Sequence, residues 1–245
     1  MATHLSEATW PEIERDLESE RQLVVVMTGS TEQHGPGLPL SVDELRADEL
    51  GERVADELDC YLAPTVRPGI SDHHMAFPGT ISLSRETFEA VCRDYCRSLD
   101  THGFEHVALL TTHGGNVDAI EAVAAEMDGE LDAHVFVPGD RRAYLETRYD
   151  AMAEHGVGQY DAGQHGGAAE TSFVMETHPE LVRHGELERG RIGEVNGQTL
   201  QREGIDAVTD NGVLGDGTKA TRAAGRTIVD ETVRYLADAI EREIE

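Results

Sequence analysis

Residues 23–45 read LVVVMTGSTEQHGPGLPLSVDEL. Leu23 to Met27 form an unbroken apolar run of strand length, which suits a strand buried on both faces. The Gly/Pro-rich bend that follows reads as a loop. The acidic stretch from Asp43 to Asp59 then reads as a helix. Strand, loop and helix in this order make the first half of a βαβ unit.

The rest of the chain repeats that grammar. YLAPTV (61–66), HVALLTT (106–112) and AHVFVPG (133–139) read as further strands. Apolar positions Phe88, Val91, Cys92, Tyr95, Cys96 and Leu99 recur at helical spacing, and Gly103 stops that helix. Asn116 is placed to cap a helix over NVDAIEAVAAEM. The closing stretch, from Gly217 onward, reads as a long amphipathic helix. Residues 140–217 are glycine-rich and irregular, an elaboration of the same unit. Alternating strands and helices predict an α/β fold: one layered domain, residues 1–245, with a largely parallel central sheet flanked by helices.

Composition narrows the function classes. Asp and Glu total 48 against 20 Lys and Arg, a formal charge of −28, and Lys219 is the only lysine. So large an acidic excess reads as adaptation to high salt, where a short Debye length screens self-repulsion. Nucleic acid and anionic membrane surfaces are excluded as partners, because phosphate binding needs clustered cations. No apolar run approaches the ~20 residues of a membrane span. The polar, acidic N-terminus does not read as a secretory signal, so a cytoplasmic location is expected. Cys60, Cys92 and Cys96 contain no CxxC pair and read as buried free thiols.

The chemistry gathers after strands. Glu32, His34 and Asp43 follow the first; His113, in THGGN, follows the third; His165 and Glu170 sit in GQHGGAAETS. In open parallel sheets, functional groups collect beyond the carboxyl ends of strands. Imidazoles and carboxylates without thiolates suit Zn, Mn or Fe ions rather than a closed structural zinc site. Five ligands exceed the need of one catalytic ion and fit two divalent ions sharing a carboxylate. Such a pair, about 3.5 Å apart, holds a hydroxide and polarises a carbonyl at neutral pH. Ser30 and Ser172 lack the G-x-S-x-G setting of a nucleophilic serine.

The segments GSTEQHGPGLPLSVD, HHMAFPGTISL, THGGN and QHGGAAETS, in this order, resemble the creatininase (creatinine amidohydrolase-like) family. The tail GVLGDGTKATRAAGRTIVDETV is similar to the family's closing segment. The resemblance implies a dinuclear hydrolase that cleaves a C–N bond of a cyclic or formyl amide. It implies one metal held by Glu32, Asp43 and His113, and another by His34, Asp43 and Glu170, with Asp43 bridging. It makes His165 the acid/base on the leaving nitrogen, and it implies a homo-oligomer, a hexamer in many members.

Departures bear on substrate. The family usually reads HGPHLP where this chain has Gly37. Creatinine-hydrolysing members carry an aromatic and a glutamate at Gly114 and Gly115, and use tryptophans to sandwich the flat ring; here Trp10 is the only tryptophan. Formylaminopyrimidine deformylation in deazaflavin or riboflavin synthesis, and peptide trimming in redox-cofactor maturation, are the alternative activities. His73, His74, Gly114, Gly115 and Asn116 are candidates for substrate contact. Arg67, Arg85, Arg141 and Arg142 are candidates to meet an anionic substrate, with surface ion pairing as the plainer role. A catalytically idle small-molecule binder is the alternative from another class, although idle clustered carboxylates repel one another.

Overall fold

The computed structural model describes residues 3–19 and 21–245; Met1, Ala2 and Glu20, inside the expected 1–245 domain, lie outside the described residues. Five strands, β1 (Thr3–His4), β2 (Leu23–Thr28), β3 (Tyr61–Leu62), β4 (His106–Thr111) and β5 (His134–Phe136), form one sheet. All pairings are parallel, in the order β1-β3-β2-β4-β5.

The two faces of the sheet follow from the alternation of side chains along each strand. Val25 and Met27 of β2, with Ala108 and Leu110 of β4, pack against α2 (Val42–Glu57), α5 (Arg141–Glu154), α7 (Ala168–Thr177) and α9 (Arg222–Ile244). Val24, Val26, Val107 and Leu109 face the other way, onto α3 (Arg85–Thr101) and α4 (Val117–Asp128). Phe88, Cys92 and Cys96 of α3 are fully buried there. All three cysteines are free, and burial pushes the Cys92 thiol up to about 12, which makes it inert.

The single α/β domain with a parallel sheet is as the sequence predicts. Element boundaries differ in instructive ways. Only Tyr61–Leu62 of YLAPTV pairs as a strand, and Val66 rejoins the sheet through an isolated bridge to Thr28. The 133–139 strand shrinks to His134–Phe136. Asn116 does not cap α4 with its side chain; the closing helix begins at Arg222, where the Thr221 side chain accepts from the Ala224 N–H. The 140–217 region contains the 14-residue α5, whose weakly segregated apolar residues hide it from a periodicity search.

Helix α9 lies against α7, and Gly225 permits the contact: a β-carbon there would fall 1.9 Å from the Ser172 carbonyl oxygen. Because that obstacle is backbone, Gly225→Ala is expected to lower stability by about 1–3 kcal/mol. Urea unfolding of the purified variant measures it; an unchanged midpoint would show that the two helices are free to part.

Candidate metal centre

Strands β2 and β4 run in register from Leu23 opposite His106 to Thr28 opposite Thr111, so both end at one level. Glu32 and His34 lie on the loop leaving β2, and Asp43 in the first turn of α2 behind it. His113 leaves β4. Glu170 occupies the first turn of α7, and His165 precedes it. Glu32, His34, Asp43, His113, His165 and Glu170 are all buried.

Their reactive atoms converge. His34 Nε2 is 3.8 Å from Asp43 Oδ1 and 3.7 Å from Glu170 Oε2. His113 Nδ1 is 3.3 Å from both Glu32 Oε1 and Asp43 Oδ2. His165 Nδ1 is 3.5 Å from Glu32 Oε1, and its ring stacks on His34 at 4.1 Å. Asp43 thus faces both histidines through different oxygens. Two ligands on one zinc-sized ion sit roughly 3.4 Å apart, from metal–ligand distances near 2.1 Å in a tetrahedron. Among the described residues, three groups lie close enough to hold an ion: His34, Asp43 and Glu170; Glu32, His73 and His113; and Glu32, His34 and His165.

Hydrogen bonding fixes which nitrogen each ring offers. His34 Nδ1 donates to the Glu32 carbonyl at 3.1 Å, His113 Nε2 to the Ile70 carbonyl at 2.9 Å, and His165 Nε2 to the Gln33 carbonyl. Each ring therefore presents its other nitrogen to the cluster, the arrangement that orients metal-ligating histidines. Among the described residues, buried His34 Nε2 and Asp43 Oδ2 have no hydrogen-bond partner. Unpaired buried polar atoms are costly, and a divalent cation would satisfy both. The donor set fits such an ion.

Glu32 and Glu170 are held charged. Burial opposes the charge on Glu32, but His113, His74 and His165 outweigh it and keep its pKa well below the ordinary range. Glu170 is likewise desolvated, yet Arg46, His34 and Arg148 bring it down to about 2. Burial disfavours charge on His113 too, and Glu32 and Asp43 override it, so its pKa lies well above 6.5. His165 falls to about 4 through burial and the neighbouring His34.

Several residues of the site carry no motif. Arg46, 2% exposed, donates through Nη1 to Glu170 Oε1 at 2.7 Å, to the Thr112 carbonyl at 3.1 Å and to Asp43 Oδ1 at 3.3 Å. Its place one helical turn after Asp43 was the available signal. Ser71 donates to Glu32 Oε2 at 2.6 Å. Gln33 Nε2 bridges His74 Nδ1 and the Gly212 carbonyl.

The loop at 70–74 overhangs the site. His74 Nε2 is 3.5 Å from Glu32 Oε1, and the half-buried His73 ring lies parallel to His113 at 5.9 Å. Asn116 is fully buried: its amide donates to the Gly29 carbonyl and accepts from the Ile70 N–H, tying β2, β4 and this loop together. Gly115 is tightly enclosed, since a β-carbon would lie 2.2 Å from the Ile70 oxygen and 2.4 Å from His113 Nε2. Gly114 leaves open space beneath Arg141. A cavity of about 210 Å³ opens beside the cluster, lined by His113, Gly114, Arg141, Tyr144, Arg148 and Tyr149 among others, and by no tryptophan. Trp10 is exposed on α1 (Trp10–Leu17).

Residues 6–240 match the family described as Creatininase: Creatinine amidohydrolase. The chain belongs to the creatininase family. It is 33% identical over 236 residues to the mycofactocin precursor peptide peptidase of Mycolicibacterium smegmatis (strain ATCC 700084 / mc(2)155), covering 93% of this chain and 88% of that protein. It is 26% identical over 263 residues to the creatinine amidohydrolase of Pseudomonas putida, covering 98% and 96%. A solved structure described as Creatininase Mn superposes with a TM-score of 0.83 at 26% identity, over 99% of both chains. The protein is thus a creatininase-family hydrolase with candidate metal-binding residues. Among the described residues, no helix is long and apolar enough to cross a membrane.

Gly37 abuts Leu187: a β-carbon would sit 2.5 Å from Leu187 Cδ2. Gly37→His is expected to destabilise the protein by about 1–3 kcal/mol, and adding Leu187→Ala to restore at least half of the loss. Thermal unfolding of the single and double variants tests the coupling; additive effects would contradict it.

Proposed function

We propose that this protein is a dinuclear metal-dependent amide hydrolase that trims a short peptide. The bare, buried pair His34 Nε2 and Asp43 Oδ2 carries the metal reading. In it, Glu32, Asp43 and His113 would hold one divalent ion and His34, Asp43 and Glu170 the other, with Asp43 common to both. Zinc, manganese and iron all suit these donors. Such ions would supply an activated water and polarise the scissile carbonyl.

The protein's own groups do the remaining work. Arg46 fixes the Asp43 and Glu170 carboxylates in one orientation. The Gln33 carbonyl holds the Nε2 proton of His165, leaving Nδ1 to accept a proton from the attacking water and pass it to the leaving nitrogen. The loop carrying His73 and His74 covers the cluster and limits water access.

For substrate, the relatives named as peptide peptidases and the lack of an indole in the cavity favour a peptide over creatinine. Enclosed Gly115 leaves no room for the glutamate of creatinine-hydrolysing members. Elemental analysis of wild type and Asp43→Ala, alongside a panel of short peptides and creatinine, tests both halves. We expect two ions per chain, close to none in the variant, and peptide cleavage that chelation abolishes. One ion surviving in Asp43→Ala would remove it as the bridge; two ions without cleavage of any amide would make the protein a binder.

The acidic excess supports an adaptation to concentrated salt. Raising KCl from about 0.1 to about 2 M, which shortens the Debye length severalfold, is expected to raise the urea midpoint. A midpoint that falls or stays constant would sink this reading.

A further inference from the structure

Two arginines flank Glu170, and they are not alike. Arg46 is fully engaged, with three acceptors on Nη1 and the Tyr144 hydroxyl on Nη2. Arg148 is only 6% exposed and lines the cavity. Among the described residues its single hydrogen bond runs from Nη2 to Glu170 Oε1, at a long 3.5 Å. A guanidinium has five N–H donors, so a side chain this buried is short of acceptors on its cavity side.

Arg141, the first residue of α5, lines the same cavity. Its Nη2 would be 3.9 Å from a β-carbon at Gly114, so it stands over the turn that carries His113. Among the described residues its side chain makes no hydrogen bond, and its one ion pair, to Asp118 Oδ1, is at 4.0 Å. The other arginines singled out by sequence are committed elsewhere. Arg67 pairs with Asp48, Arg85 with Glu89 and Arg142 with Glu146.

We propose that Arg141 and Arg148 form a carboxylate-binding subsite in this cavity, which takes the free C-terminal carboxylate of a short peptide whose amide lies at the histidine–carboxylate cluster. The peptide identity rests on the function proposed above; the subsite rests on the two guanidinium groups. A carboxylate accepts two parallel N–H bonds from one guanidinium fork. A phosphate dianion would bring twice the charge beside Glu32, Asp43 and Glu170. In a chain of formal charge −28, such a local cationic pair offsets the repulsion that an anionic substrate meets.

Titration calorimetry of chelator-treated protein with N-acetyl-dialanine and with its C-terminal amide reads the subsite without turnover. The free acid is expected to bind at least about tenfold tighter than the amide, as charge-assisted hydrogen bonds imply. Arg141→Gln, at a side chain 54% exposed, should leave the fold intact and shrink that preference to about threefold or less. Arg148→Gln, with its fold checked by circular dichroism, should do the same. Equal affinities for acid and amide in the wild type, binding of neither, or a preference untouched by Arg141→Gln would overturn the proposal. Inorganic phosphate binding more tightly than the acid would also overturn it, in favour of a phosphorylated ligand. An acid preference in a protein that, once metal-loaded, cleaves no peptide would leave the subsite standing and remove the peptidase reading.

Discussion

Three carboxylates, Glu32, Asp43 and Glu170, are buried together, and most of the surrounding architecture answers to their charge. A buried anion without compensation costs several kcal/mol. Here Arg46 and Arg148 supply positive charge from two sides, His113 turns Nδ1 toward Glu32 and Asp43, and Ser71 and the Gly166 N–H donate to carboxylate oxygens that remain. Glu170 gains further from its place in the first turn of α7, at the positive end of the helix. His34 Nε2 and Asp43 Oδ2, left without hydrogen bonds, are atoms that divalent cations at the cluster would satisfy.

The sheet makes that gathering possible. The crossover leaving β2 through α2 leads to β3 on one side; β4, on the other side of β2, leads through α4 to β5. Helix α2 packs on one face of the sheet and α4 on the opposite one. The carboxyl ends of β2 and β4 therefore flank a crevice where the chain paths diverge, the usual place for a site in an open α/β sheet. Asn116 then ties both strand ends to the 70–74 loop, so the crevice is rigid on the side that carries Glu32 and His113. The Gly225 contact seats α7, and with it Glu170, from the other side.

Around the cluster, three glycines decide how much space is open. Leu187 occupies the space beside Gly37, Gly115 is closed by Ile70 and His113, and Gly114 leaves room beneath Arg141. The cavity beside the cluster is lined by tyrosines and by the guanidinium groups of Arg141 and Arg148. Loops tolerate such differences in shape because the scaffold below them holds the reactive groups.

The sequence by itself determined the strands over LVVVM and HVALL, the parallel α/β class and the six side chains that the fold brings together after those strands. Each of these is a local signal: an apolar run, or a histidine or acid in a glycine-rich turn. It could not supply α5, whose apolar residues do not segregate to one face, nor the true start of α9, which a threonine cap sets. Nor could it supply Arg46 and Arg148 as partners of Glu170, or Asn116 as a tie rather than a cap. Arg46 meets Glu170 across 124 residues of chain, and an arginine in an acidic helix reads as surface until packing buries it. Only the tertiary structure decided which charges face each other, because burial and long-range proximity, unlike periodicity, leave no local trace in sequence.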